Sequence, residues 1–176
     1  MPGHRRDAEG LTVADRDPQI GSGRNVSAYE ADYGAWVAAQ ALLLKEGRFA
    51  ELDLEHVIDE FESLGRSDFH HFESAIKVVL IHLLKWDIQT DHRTRSWATS
   101  IQGHREQVER ELSESPSYRA RIDEAIGRAY RRARMKAYKE TKLPFRTFPE
   151  TCPYTWDDIM SRPIVWGEDE HMKSRS

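Results

Sequence analysis

The chain has 176 residues, a formal net charge of −4 and one cysteine, Cys152. This length suits one ordinary domain with tails, and a single thiol excludes an internal disulfide framework. The sequence shows neither a signal-peptide pattern nor an apolar run of about 20 residues, so we predict a cytoplasmic protein that does not enter a membrane. Because the net charge is slightly negative, a contact with nucleic acid has to be local.

Three regions of the chain differ in composition. Residues 1–27 are polar and contain few apolar side chains, too few to offset the entropy lost on ordering, so we predict a flexible N-terminal arm. Residues 28–165 carry amphipathic patterns and are predicted to form a single helical-bundle domain. Residues 166–176 are predicted to be a flexible tail.

Apolar residues recur at spacings of three and four in five segments, which indicates amphipathic helices. The predicted helices cover about residues 29–46, 54–64, 68–86, 97–112 and 116–141. Gly47 is a natural stop for the first helix, and Asp53 is a natural cap for the second. Gly65 stands between the second and the third, which are either two helices or one helix broken at that glycine.

The predicted third helix is apolar over most of its surface, which marks it as the centre of the fold. Four prolines, Pro144, Pro149, Pro153 and Pro163, punctuate the last segment. We therefore expect residues 143–165 to wrap over the bundle in extended pieces, with at most one short helix near residues 156–160. The predicted fold is an all-α, up-and-down helical bundle of about five helices with a proline- and aromatic-rich C-terminal wrap.

Charge is distributed unevenly along the bundle. Residues 46–62 contain seven acidic residues and one basic residue, whereas residues 116–142 contain nine basic residues and three acidic ones. The two segments either pack near one another or face water, or else the basic fifth helix binds a polyanion or an acidic partner. In the second interpretation the binding residues are Arg128, Arg131, Arg132 and Arg134, which lie within two turns.

Several carboxylate side chains close together on the second predicted helix suggest a metal site. Asp59, Glu60 and Glu62 are candidate ligands of a divalent metal, with His82 supplied by a facing helix. The alternative is a solvated acidic face and a histidine satisfied within the core. The sequence lacks His-Glu-x-x-His and Cys-x-x-Cys motifs, and no cofactor is identified beyond this candidate metal.

A second group of polar residues flanks the connection between the third and fourth helices. It comprises Lys85, Trp97, His104 and Arg105. It forms either a buried polar cluster that fixes the register of the bundle or a functional site. Because a buried cation is costly alone, Lys85 and Arg105 are expected to reach solvent or to pair with carboxylates such as those of Glu60 or Glu62.

Several short motifs, in their order along the chain, resemble those of a known family. They include Asp59-Glu60-Phe61-Glu62-Ser63-Leu64-Gly65, His82-Leu83-Leu84-Lys85-Trp86 and Phe148-Pro149-Glu150-Thr151-Cys152-Pro153. Over about residues 29–163 the chain resembles the bacterial family called domain of unknown function 29. The resemblance implies a small α-helical protein without an established activity. The family usually shows paired glutamates where this chain has Asp59-Glu60. The aspartate in place of a glutamate keeps the charge and shortens one side chain.

The sequence contains no strong catalytic constellation beside its charged faces. We therefore expect a non-catalytic protein-interaction or regulatory module, with a protein partner or self-association. One alternative is a metal-dependent nuclease or hydrolase that uses the carboxylate–His82 site. The other is a non-catalytic nucleic-acid binder that uses the basic fifth helix.

Overall fold

The computed structural model describes residues 28–166, and these residues are all-α with no strand among them. The helices are α1 (Ala28–Ala31), α2 (Tyr33–Lys45), α3 (Leu54–Ile88), α4 (Arg95–Glu114), α5 (Ile122–Thr141) and α6 (Trp156–Ser161). The predicted N-terminal arm, and the predicted tail from residue 167 onward, lie outside the described residues. The chain divides between His56 and Val57 into two compact units, which are described in turn.

In the first unit, the predicted helix over residues 29–46 is divided at Asp32 into α1 and α2, while its end before Gly47 is as predicted. The Asp32 side chain accepts a hydrogen bond from the Ala35 amide at 2.9 Å, which caps the first turn of the helix. After the helix, Gly47 adopts a positive φ of 70°, a conformation that glycine reaches without a steric penalty.

Asp53 organises the end of the first unit. Its carboxylate accepts a hydrogen bond from the indole of the buried Trp36 at 3.1 Å and contacts the His56 ring at 2.8 Å. It also accepts from the His56 amide at 3.4 Å, so the predicted capping role of Asp53 at the start of α3 is supported.

Helix α3 runs without interruption through Gly65, so the predicted end of a helix at this glycine is wrong. Gly65 has no positive φ, and a glycine inside a helix costs only about 1 kcal/mol relative to alanine. That cost is small when the helix continues into a buried segment on its C-terminal side. The second and third predicted helices are therefore one helix of 35 residues.

In the second unit, α3, α4 and α5 follow an up-down-up course. Trp97, near the start of α4, lies against His82 near the end of α3, with ring centroids 6.3 Å apart. Tyr118, just after the end of α4, lies against Phe69, earlier on α3, with centroids 5.2 Å apart, so α4 runs antiparallel to α3. Glu73 of α3 pairs with Arg132 of α5, and Lys85, twelve residues further along, pairs with Glu140. Helix α5 therefore runs in the same direction as α3.

The core of the second unit lies between these three helices. Helix α5 contributes a row of buried alanines at four-residue spacing, which lets its backbone approach its neighbours closely. The fully or nearly fully buried residues of the three helices include Phe72, Ile76, Val79, Leu80, Leu83, Leu84, Ile101, Val108, Ala125, Ala129, Ala133 and Ala137.

The C-terminal segment is anchored on α5 by its aromatic residues and its carbonyl groups. Phe148 is buried in the core. The Tyr130 hydroxyl donates to the Pro149 carbonyl at 2.7 Å, and the Arg134 Nε donates to the Phe148 carbonyl at 3.1 Å. Burial raises the pKa of Tyr130 to about 12, so this hydroxyl remains a donor at neutral pH.

The predicted short helix in the C-terminal segment is confirmed as α6. Thr155 and Asp158 form a reciprocal capping box at its start. On either side of α6, the Tyr154 hydroxyl donates to Asp87 of α3 at 2.8 Å, and Arg162 forms an ion pair with the same carboxylate. The segment thus connects to α3 as well as to α5.

The continuity of α3 predicts the sign of a glycine replacement. A Cβ at Gly65 meets no atom within 4 Å, so Gly65→Ala is expected to raise the free energy of unfolding by about 0.5–1 kcal/mol. The matched change Gly47→Ala forces alanine into a positive φ and is expected to destabilise by about 1 kcal/mol. Urea unfolding of both variants beside the parent measures this, and a destabilised Gly65→Ala variant would contradict a continuous helix.

Candidate binding groove

The predicted metal site does not form. Asp59, Glu60, Glu62 and His82 all lie on the continuous helix α3, and the 20 residues from Glu62 to His82 correspond to about 30 Å at 1.5 Å per residue. Direct ligation of one ion needs ligand atoms within about 2–2.6 Å of it. Across the described residues, no group of three His, Cys, Asp or Glu side chains is placed to hold a metal ion. The prediction failed because it required two facing helices where there is one.

The predicted polar cluster is only partly assembled. The Lys85 side chain is largely buried and its Nζ donates to Glu140 Oε2 at 2.9 Å, while it lies 4.4 Å from the centre of the Trp97 ring. These three residues link α3, α4 and α5 through an ion pair and a cation–π contact. The expected partners Glu60 and Glu62 are wrong for Lys85, because they lie more than 20 residues before it on the same helix.

The other two residues of the predicted cluster have separate roles. His104 Nδ1 contacts the Ser100 carbonyl of its own helix at 2.8 Å. The buried Arg105 donates from Nε to Ile159, from Nη1 to Arg162 and from Nη2 to Asp158, always to a backbone carbonyl, at 2.7, 2.9 and 3.1 Å. These carbonyls lie at the C-terminal end of α6 and just beyond it, where backbone acceptors lack partners within the helix. Arg105 therefore holds α6 onto α4 and needs no carboxylate.

Glu73 is the fully buried carboxylate that the sequence analysis did not single out. Its Oε2 lies 2.8 Å from Arg132 Nη2 and 3.0 Å from His70 Nδ1, and its Oε1 lies 3.5 Å from Arg128 Nη1. One acidic residue between the core positions Phe72 and Ile76 was the available signal, because a buried charge requires partners. Its arginine partners lie 55 and 59 residues away and cannot be read from spacing.

The four arginines of the predicted anion site have different partners in the structure. Arg128 and Arg132 are paired with Glu73, and Arg128 also pairs with Glu124 at 2.7 Å. Arg134 binds the Phe148 carbonyl and lies over the Phe145 ring at 4.0 Å. Arg131 is exposed and forms no ion pair within residues 28–166.

Arg131 belongs to a groove of about 660 Å³ between α3 and α5, which we call the α3–α5 groove. Its floor is apolar, with Val78, Ile81 and Met135 among its lining. Its cations are Lys77, Arg131, Arg132, Lys136 and Lys139, and its one acidic residue is Glu140.

The cations of the α3–α5 groove differ in how far they are neutralised. Arg132 is paired with Glu73, and Lys136 is 3.3 Å from Glu140. Lys77, Arg131 and Lys139 have no ion-pair partner in the part of the chain that the structure describes. The groove therefore combines an apolar floor with positive charge at its rim.

His82 also lines the α3–α5 groove. Its Nδ1 is buried and has no hydrogen-bond partner among the described residues. Burial lowers the pKa of His82 from 6.5 to about 4, with smaller electrostatic contributions from Lys85 and His104 in the same direction and an opposing one from Glu140. His82 is therefore neutral at pH 7 and adds no charge to the groove.

Comparison with protein families shows to which family the chain belongs. Residues 28–164 match the family model described as Domain of unknown function DUF29, and the protein belongs to this family, as its motifs predict. No curated protein and no solved structure matches the chain. Within the described residues, no helix is both long and apolar enough to span a membrane.

The low pKa of His82 predicts a pH-dependent part of the stability. In the unfolded chain His82 binds a proton near pH 6.5, whereas in the folded chain it does so only near pH 4. The free energy of unfolding therefore falls as the pH drops through this interval. In His82→Gln this contribution is absent, and the variant is expected to lose less stability than the parent between pH 6.5 and pH 4. Urea unfolding at both pH values measures the difference.

The exposed His92 provides the control, because His92→Gln is expected to keep the pH dependence of the parent. An equal loss of stability in the parent and in His82→Gln would show that the His82 imidazole is not protected from protonation.

Proposed function

We propose that this protein is a non-catalytic interaction module of the cytoplasm whose α3–α5 groove binds an acidic, amphipathic helix of a protein partner. The observation that carries the proposal is the combination of an apolar floor with rim cations that no carboxylate of the described residues neutralises. An amphipathic helix places its apolar face in such a groove and its charged flanks at the rim.

The charges of the bundle favour an acidic partner. Arg132 is already bound by Glu73, and the less exposed Arg105 and Arg134 are bound by backbone carbonyls. The cations left at the rim face solvent, where they attract and orient a partner of opposite charge. Met135 is 43% exposed at the floor, and a flexible thioether adapts to different apolar side chains.

A nucleic-acid strand is the second candidate, because the rim cations also suit phosphates. Proteins that hold single strands usually add aromatic side chains on which bases stack, whereas the described lining of the groove contains none apart from the imidazole of His82. The chemistry of the floor therefore favours a peptide. The metal-dependent hydrolase alternative loses its support, because the proposed ligands are separated along α3.

Binding of a defined probe tests this proposal. The probe is a synthetic helical peptide with leucine at every third and fourth position and glutamate at most others, labelled for fluorescence anisotropy. The parent is expected to bind it in a salt-sensitive manner. The variant Arg131→Glu/Lys139→Glu reverses two exposed rim charges and is expected to weaken binding by about tenfold to a hundredfold.

The matched control is Arg110→Glu/Arg146→Glu, which changes the net charge equally at exposed positions outside the groove and is expected to bind like the parent. Equally weakened peptide binding in both double variants would show that the effect comes from net charge, and it would contradict binding in the groove. Tighter binding of a single-stranded RNA of equal charge, lost in the groove variant alone, would replace the peptide with nucleic acid as the partner.

A further inference from the structure

Helix α3 carries an exposed segment that the packing of the protein does not explain. No residue from Ile58 to Asp68 is buried, although this stretch contains three large apolar side chains. Ile58 is 53% exposed, Phe61 is 65% exposed and Leu64 is 61% exposed. Single exposed apolar residues are common on protein surfaces, but three at helical spacing on one short stretch are typical of an interaction surface.

The apolar residues of this segment share one face of the helix. Successive residues are about 100° apart around a helix, so side chains three positions apart differ by about 60°. Ile58, Phe61 and Leu64 therefore form a stripe about 120° wide, which we call the Phe61 stripe. Glu62 lies next to Ile58 on one side of this stripe, and Glu60 lies next to Leu64 on the other. Glu62 pairs with Arg66 at 3.2 Å, but residues 58–68 contain four acidic residues and one basic residue, so the segment that carries the stripe is acidic.

The Phe61 stripe has the chemistry that the α3–α5 groove requires, yet it cannot enter the groove of its own chain. Phe61 and Val78 lie on one continuous helix, where 17 residues correspond to about 26 Å. A helix cannot fold back over that distance without breaking. The stripe can thus reach an α3–α5 groove only in another molecule.

We propose that the Phe61 stripe of one copy of this protein docks into the α3–α5 groove of a second copy. This inference rests on the proposed function of the groove and names the protein itself as the source of the acidic helix. The stripe covers Val78, Ile81 and Met135 of the second copy. The acidic residues beside the stripe face the rim cations Lys77, Arg131 and Lys139.

Charge selects this arrangement over a pairing of two stripes. Two copies joined stripe to stripe bring together two segments that each have an excess of acidic residues, even with Arg66 paired to Glu62, and like charges at short range oppose association. Docking of stripe into groove matches opposite charges instead. Because the two surfaces differ, the contact is heterologous, and it leaves a free stripe and a free groove at the ends of each assembly.

Variants of each surface test the arrangement. The stripe variant Phe61→Gln/Leu64→Gln removes apolar surface at exposed positions and retains good helix formers, so it is expected to fold. The groove variant is Arg131→Glu/Lys139→Glu. The control Ser63→Gln/Ser67→Gln changes exposed positions on the opposite face of the same helix.

The mass of each protein is measured by sedimentation equilibrium of the full chain from about 1 µM to about 500 µM, a range that brackets weak to moderate self-association. The parent and the control are expected to grow beyond the dimer as concentration rises. Each variant alone is expected to remain a monomer, with association at least about tenfold weaker. An equimolar mixture of the two variants is expected to stop at a dimer, because only one intact stripe and one intact groove are then present.

Three outcomes overturn the inference. If the parent stays monomeric while the acidic peptide still binds its groove, a second copy is excluded as the occupant of the groove, and the proposed function is unaffected. A groove variant that still dimerises shows that the stripes pair with one another. A mixture that does not associate, although the parent does, shows that the two surfaces are not complementary. If the parent neither binds the peptide nor associates with itself, both proposals are contradicted.

Discussion

The buried carboxylate of Glu73 sets the alignment of α3 and α5, on which the α3–α5 groove depends. It binds Arg132 and Arg128 of α5, and a charge without solvent persists only with such partners. Sliding α5 by one turn would move it about 5.4 Å along its axis and would separate these groups. The pair of Lys85 with Glu140 aligns the same two helices twelve residues further along α3. Together the two contacts determine which side chains of α5 face the groove.

The remaining arginines of the bundle are divided between structure and solvent. Arg105 binds backbone carbonyls around the end of α6, Arg134 binds the carbonyl of Phe148 and Arg162 binds Asp87. These three side chains hold the C-terminal segment to α4, α5 and α3 respectively. Lys77, Arg131 and Lys139 are not used in this way and line the groove, where Arg131 and Lys139 are exposed. On the proposed function, these cations and the apolar floor together form the binding surface for an acidic partner.

The sequence predicted the fold well and the site poorly, for physical reasons that particular residues show. Helix periodicity depends on neighbours three and four positions apart, so the all-α class and the short helix α6 could be predicted. The metal site was wrong because it assumed a helix break at Gly65, whose cost within a helix is only about 1 kcal/mol. Spacing along α5 shows that the four arginines lie near one another, but it does not show which distant group binds each of them. The arginine partners of Glu73 and the carbonyl partners of Arg105 lie more than 50 residues away in the chain.

The central claim is that the α3–α5 groove is the binding surface, and side-chain NMR tests it most directly. The methyl groups of Val78, Ile81 and Met135 are observed while the acidic helical peptide is added to the full chain. The account predicts that these methyl signals shift together and saturate at the same peptide concentration, since all three line one groove. Unchanged signals from these three residues, with shifts in methyl groups elsewhere in the bundle, would contradict it.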